Sequence, residues 1–267
     1  MSAIYELERG DGPLLISAPH VGTYLPEDLA ERLTPPGRAL VDTDWFADRL
    51  YPFAGELSAT VLRAGWSRYV IDLNRDPSGA SLYPGARTTS LVATETFEGK
   101  ALYAPGDAPN DDEVRVRRAL CFDPYHDALA AELRRIVAAH GFALLIDAHS
   151  IWGCLPLLFE GELPDINLGT NGGRSCDPAL VAAALGAVAR SPFSHVLDGR
   201  FKGGYITRRY GVPADAIHAL QIEINQRAYL ADGSRTDWDE RKASRLQRVL
   251  RAVCEAMLAL LTAKIRS

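Results

Sequence analysis

The sequence predicts an α/β fold built on a largely parallel sheet. Short apolar runs alternate with segments of helical period along the chain. The run Ala143-Leu144-Leu145-Ile146-Asp147 is apolar on both faces, as a central parallel strand is. At 267 residues, 47% hydrophobic and 24% charged, the chain is long enough to close a full core without metal or disulfide staples. No repeat, low-complexity tract or linker interrupts the pattern, so residues 1–267 read as one domain.

The elements follow in order. Leu14–Ala18 is a first short strand, broken by Pro19. The spacing of Trp45, Asp48 and Arg49 predicts a helix from Asp44 to Phe53. Ala59–Arg63 and Tyr69–Leu73 read as strands separated by Gly65. Residues 76–112 are rich in Gly, Pro and Thr and lack periodicity; a loop that long suits a lid over a functional site. Asp123 then supplies an N-cap with Pro124 behind it, and the helix runs to His140 with Gly141 as its stop. Pro178 opens another helix, ending near Arg190. Ile217–Ile224 is a late strand. Leu246, Val249, Leu250, Val253, Met257, Leu260 and Leu261 mark the inward face of a closing helix.

Composition excludes several classes. Lys plus Arg is 29 against 34 Asp plus Glu, a net charge of -5, which argues against nucleic acid or an anionic membrane as partner. No run of eighteen apolar residues is present, and the opening MSAIYELERGDGP has acids where a secretory signal has an apolar core. The four cysteines lie far apart with no C-x-x-C pair, which fits neither a zinc ribbon nor a disulfide framework and suits a reducing cytoplasm. Any metal must be held by His and carboxylates.

Ligands of open parallel sheets bind beyond the carboxyl ends of the strands, so the residues after each apolar run are diagnostic. His20 follows the first strand; Asp72-Leu73-Asn74-Arg75 follows Val70-Ile71; Asp147-Ala148-His149-Ser150 and Glu223-Ile224-Asn225-Gln226-Arg227 end the two later runs. A catalytic zinc takes three ligands from His and carboxylates and keeps a position for water. His20 and His149 supply two imidazoles; Asp42 or Asp44 supplies the third ligand, although an Asp at a helix start serves equally as an N-cap. The same donors suit iron, cobalt or manganese. His140 sits at a helix C-terminus, His126 in a solvated first turn, His218 on the face opposite Glu223, and His195 in a short run that could be core.

Glu223 is the candidate general base, since a carboxylate at the end of a buried strand is costly unless used; its competing role is a salt bridge to Arg227. Asp147, on the same strand face as His149, suits an orienting partner for an imidazole. Asn74 with Arg75, and Arg208 or Arg209, are candidates for binding a small substrate with two carboxylates, because a guanidinium fork grips a carboxylate in bidentate fashion.

These residues lie in blocks that resemble the N-formylglutamate amidohydrolase (deformylase) family. The blocks are Ser17–Thr23, Asp42–Trp45, Arg68–Arg75, Leu82–Gly85 with Thr88-Thr89, Asp147–Ser150, Asn167–Asn171, Phe201–Thr207 and Glu223–Gln226, in order from about residue 14 to 230. The resemblance implies a three-layer α/β/α sandwich with a mixed, mostly parallel sheet, like that of zinc carboxypeptidases among the phosphorylase/hydrolase-like folds. It implies a cytoplasmic zinc enzyme that hydrolyses N-formyl-L-glutamate to glutamate and formate in histidine degradation. Carried over block by block, His20, Asp44 and His149 hold the metal, Glu223 activates water, Asn74 and Arg75 bind one substrate carboxylate and Arg208 or Arg209 the other. One position departs: Phe46 stands where relatives often carry a His. Two other readings keep the scaffold: an amidohydrolase for acetyl or succinyl amino acids, and an inactive relative that binds small anions. A serine hydrolase is disfavoured, since no G-x-S-x-G elbow is present.

Overall fold

The computed structural model describes residues 3–82, 85 and 87–266. Seven strands form one sheet: β1 (Tyr5–Glu8), β2 (Leu14–Ala18), β3 (Thr60–Ala64), β4 (Ala143–Ile151), β5 (Ile166–Gly169), β6 (His195–Leu197) and β7 (Ile217–Asn225), in the spatial order β1-β3-β2-β4-β7-β5-β6. The centre, β3-β2-β4-β7, is parallel; β1 pairs antiparallel with β3, and β5 antiparallel with β7 while parallel to β6. The sheet is therefore mixed and mostly parallel.

Helices cover both faces. On one lie α1 (Glu27–Arg32), α2 (Pro35–Arg38), α3 (Asp111–Arg117), α4 (Asp123–His140) and, following α5 (Pro178–Ala189) in the chain, the short α6 (Tyr205–Tyr210). On the other, α5 packs with the long α7 (Glu240–Arg266). Strand alternation assigns residues to the two layers: Leu14 and Ile16, Leu144, Ile146 and Ala148, and Leu220, Ile222 and Ile224 enter the α5/α7 core, whereas Leu15, Ala143, Leu145 and Ala219 enter the α4 core. This is the three-layer α/β/α arrangement anticipated above.

Several local expectations need correction. Tyr69–Leu73 is buried but not a strand. Its backbone is held by side chains and a loop instead of a neighbouring strand: Arg117 donates to Val70 O (3.0 Å), His126 to Leu73 O (2.9 Å), and Asp72 N donates to Leu91 O (2.8 Å). The anticipated helix over Asp44–Phe53 is broken into two short 3-10 turns, Ala47–Leu50 and Pro52–Ala54, because Phe46 is left-handed (φ 60°) and Pro52 lacks a donor. Asp123 is not an N-cap either. The helix starts at Asp111, capped by Asn110, and passes through a π turn at Arg118–Phe122 into α4. The wider turn is what accommodates Pro124 in mid-helix. Gly141 is the left-handed stop, as anticipated. In α7, Leu246, Leu250, Val253, Met257 and Leu261 are buried but Leu260 is exposed. His126 is buried and His195 exposed, the reverse of their expected settings. Among the described residues no helix is long and apolar enough to cross a membrane.

Candidate active site

On the α4 side of the sheet the central strands change character toward their carboxyl ends. After Leu15 comes Ser17, after Leu145 come Asp147 and His149, and after Ala219 come Gln221 and Glu223, all buried. Parallel register sets Asp147 beside Gln221 and His149 beside Glu223 on adjacent strands. Period two thus gathers five polar side chains on one end of one face.

His20 leaves β2 just beyond them. Its carbonyl accepts from Asp44 N (3.1 Å), which brings the Asp42–Trp45 segment against the strand exit. Suitably placed ligand atoms of His20, Asp44 and His149 lie within 4.8 Å of one another, and all three residues are buried. Each imidazole is held from behind: His20 Nε2 lies 2.7 Å from Asp72 Oδ1, and His149 Nε2 lies 2.8 Å from Asp147 Oδ1. With Nε2 donating to a carboxylate, each Nδ1 is left to face Asp44 Oδ2, at 3.7 Å from His20 and 3.0 Å from His149. This carboxylate–imidazole arrangement is the one that orients metal-ligating histidines and raises their basicity.

The donor set fits a divalent cation. His20 Nδ1 is buried with no hydrogen-bond partner among the described residues. Asp44, Asp72 and Asp147 are three buried carboxylates, with Arg68 as the buried guanidinium among them. Such a concentration of negative charge is costly without a compensating cation. Burial raises Asp44, but the charge of His20 and the hydrogen bond to His149 outweigh it and hold its carboxyl below the usual range. Asp72 behaves alike: burial is overcome by Arg75, His20 and Arg68. For His149, burial disfavours the imidazolium, yet Asp147 and Asp44 hold its pKa well above the ordinary value. The space between the two Nδ1 atoms and Asp44 therefore favours positive charge, met by a proton on His149 or by a metal ion.

Asp42 does not join the set. Its Oδ2 accepts from Phe97 N (2.9 Å), anchoring that loop, and burial raises its pKa. Phe46 stays outside the cleft, its ring against Trp45, Trp238 and Arg49.

Glu223 lines the same cleft, buried, with Gln221 Nε2 at 3.4 Å from its Oε2. Burial pushes its pKa up to about 8, against the opposing charge of His149. The salt bridge to Arg227 is not made; Arg227 pairs with Glu162 (2.5 Å). Asn74 bridges the site: its Nδ2 donates to Asp147 Oδ2 (3.2 Å) and lies 2.7 Å from His149 Nε2, while its Oδ1 accepts from Ile206 N (2.7 Å). Gly204 is required beside it, since a Cβ there would sit 2.4 Å from Asn74 Nδ2. Thr207 Oγ1 donates to Asp147 Oδ2 (2.8 Å).

The cleft is walled by both charged and apolar side chains. Its arginines are Arg68, Arg75, Arg87 and Arg200. Arg208 and Arg209, the expected second carboxylate site, do not line it. On α6 the buried positions are Ile206 and Thr207; Arg208 Nε donates to Gly203 O (2.8 Å) and Arg209 lies over the Tyr210 ring. Thr88 and Thr89, from the long loop, form part of the wall, whereas Tyr83 and Pro84 of the Leu82–Gly85 block lie outside the described residues. Sequence reasoning left Asp72 without a role; the rule that a ligating His has a carboxylate behind it would have found it. Nothing in the sequence singles out Arg200.

The sequence profile of N-formylglutamate amidohydrolase matches residues 12–230. An N-formylglutamate deformylase of Pseudomonas aeruginosa is 48% identical over 261 residues, 97% of each chain. One of Pseudomonas putida is 45% identical over 260 residues, again 97% of each. The crystal structure of an N-formylglutamate amidohydrolase from Ralstonia eutropha JMP134 is similar with a TM-score of 0.79 at 26% identity, covering 99% of both chains. A gene product of Agrobacterium tumefaciens shares the fold, with a TM-score of 0.68 at 17% identity over 99% of this chain and 96% of that one.

Proposed function

The chain belongs to the N-formylglutamate amidohydrolase family, and on that premise we propose that it hydrolyses N-formyl-L-glutamate to L-glutamate and formate with a divalent metal, zinc by donor type, held by His20, Asp44 and His149. The observation that carries the metal is the pair of imidazoles clamped through Nε2 on separate buried carboxylates, with both Nδ1 atoms turned to Asp44. A cytoplasmic role in histidine degradation goes with the family resemblance.

When bound, the ion supplies Lewis-acid polarisation of the formyl carbonyl and makes water a nucleophile at neutral pH. The rest falls to side chains. Glu223 accepts a proton from the attacking water and returns it to the amide nitrogen as the C–N bond breaks, releasing formate and the amine of glutamate. Burial alone favours the protonated carboxyl at neutral pH, and positive charge at the triad opposes that, so base and metal are linked. Asp72 and Asp147 hold the imidazoles, Arg68 holds Asp72 and Asp44, and Asn74 with Arg75 faces the substrate.

Formate release from N-formylglutamate, measured with metal content before and after chelation and zinc add-back, tests this reading. Restored release with one equivalent of metal supports it. Absence of release from the metal-loaded protein overturns it.

A further inference from the structure

We propose that His126 is a positioning residue for the metal cradle: through the Leu73 carbonyl it holds the tripeptide Asp72–Asn74, whose side chains stand against both imidazoles. This rests on the reading of His20, Asp44 and His149 as metal ligands. Asp72 Oδ1 is 2.7 Å behind His20 Nε2, while Asn74 Nδ2 lies 2.7 Å from His149 Nε2 and 3.2 Å from Asp147 Oδ2. His20 follows β2 and His149 belongs to β4, yet both are tied to the same three consecutive residues.

That tripeptide lies outside the sheet, so no neighbouring strand fixes it. Asp72 N donates to Leu91 O (2.8 Å), and Asn74 N to Asp72 Oδ1 (2.8 Å). The buried Leu73 carbonyl receives no backbone N–H among the described residues; His126 Nε2 donates to it at 2.9 Å. Without that donor a buried carbonyl is left unpaired, and the segment must shift to find another. The imidazole is itself fixed by rings, with centroids 4.1 Å from Phe122 and 5.4 Å from Tyr205, and stacked on Tyr210 at 5.8 Å. Its Nδ1 lies 3.0 Å from the Tyr210 hydroxyl. Tyr210 closes α6, whose Ile206 N and Thr207 Oγ1 hold Asn74 and Asp147. One side chain of α4 therefore joins the tripeptide to the helix behind the other half of the site.

The helix reaches this segment through an irregularity. Arg117, nine residues before His126, donates to Val70 O at 3.0 Å. In a regular α-helix nine residues make about two and a half turns, which sets the two side chains on opposite faces. The π turn at Arg118–Phe122 takes up one extra residue and leaves about 2.2 turns, so both side chains reach carbonyls of one segment. The turn that accommodates Pro124 also aims His126.

Zinc affinity of the full-length protein, read by chelator competition with zinc alone as the probe, tests the assignment. His126→Phe keeps a ring and removes the donor; His126→Gln keeps a donor and removes the ring. The Phe variant is expected to bind zinc about 5- to 10-fold more weakly, and the Gln variant to recover most of that loss. A role in packing alone gives the opposite order, and either that order or an unchanged affinity in the Phe variant overturns the proposal. The loss should also shrink when His126→Phe is combined with Asp72→Asn or with Asn74→Ala, because it passes through those side chains. Full additivity in both double variants counts against it. If the Phe variant does not fold, Tyr210→Phe, which removes the hydroxyl at Nδ1, carries the test: binding about 3-fold weaker is expected, and unchanged binding refutes the assignment. Zinc held with this dependence on His126 but without formate release would overturn the hydrolytic reading and leave this one standing. A wild-type protein that binds no zinc would remove the metal reading, and this one with it.

Discussion

The two faces of β2, β4 and β7 are built from the same strands and have opposite chemistry. Toward α5 and α7 the side chains are mostly apolar, Leu14 and Ile16, Leu144, Ile146 and Ala148, and Leu220, Ile222 and Ile224, with His218 and Ser150 as polar exceptions near the strand ends. Toward α4 each strand begins apolar and then turns polar, at Ser17, at Asp147 and His149, and at Gln221 and Glu223. Both faces are buried, so burial stabilises the first and penalises the second. The polar end is offset by its partners: carboxylates behind imidazoles, Arg68 among the carboxylates, and the positive charge that Asp44 favours. Stability and function are divided by strand period, not by region of the sequence.

The sharpest break between the faces is Glu223→Gln. It should retain metal and fold yet lower kcat by about 10²- to 10⁴-fold, the usual contribution of a general base; retained turnover, measured as formate release, would remove Glu223 from the mechanism. On the opposite face, Leu220→Ala should cost about 2–5 kcal/mol of unfolding free energy, read by denaturant titration, with kcat/KM of the folded fraction nearly preserved. A large fall in kcat/KM there would mean that the two faces are coupled. Asp72→Asn removes the carboxylate behind His20 and should weaken metal affinity by about 10- to 100-fold in a chelator competition. Unchanged affinity would make Asp72 a partner of Arg68 alone.

The smallest effect concerns His126, which packs behind the site with Nε2 donating to Leu73 O and Nδ1 at 3.0 Å from the Tyr210 hydroxyl. Burial lowers its pKa from the ordinary 6.5 to about 4. The folded state thus binds fewer protons than the unfolded one between these values, so its contribution is complete above pH 6.5 and is lost as pH falls toward 4. About 1 kcal/mol should be gone by pH 5.5, and His126→Phe should flatten that part of the stability profile. Parallel profiles for the two proteins would show that His126 titrates normally.

Much of this was legible in the sequence. The apolar runs at Leu14, Ala143 and Ile217 are strands, Pro178 opens α5, and Gly141 ends α4, because each rests on local rules of alternation and capping. His20, His149 and Glu223 were visible as polar residues after or within those runs. The segment Tyr69–Leu73 misled, since its β-type composition is satisfied by hydrogen bonds from Arg117 and His126, residues some fifty positions away in the chain. Asp44–Phe53 misled because the left-handed turn at Phe46 is imposed on a sequence with helical spacing. The pair Arg208-Arg209 drew attention by adjacency, while Arg200, a single Arg after Gly199, carried no pattern at all.

The sequence by itself determined the four central strands, β2, β3, β4 and β7, because an apolar run is a property of a few consecutive residues. It also determined the chemistry available, two strand-end imidazoles and a buried glutamate. Only the tertiary structure decided the partners: that Asp44 and not Asp42 meets both imidazoles, that Asp72 stands behind His20, and that Arg200 joins the cleft wall while Arg209 lies over Tyr210. The pairings of Asp44 and Asp72 with the imidazoles join residues separated by tens of positions, and their energies depend on distance and burial, which local spacing does not encode.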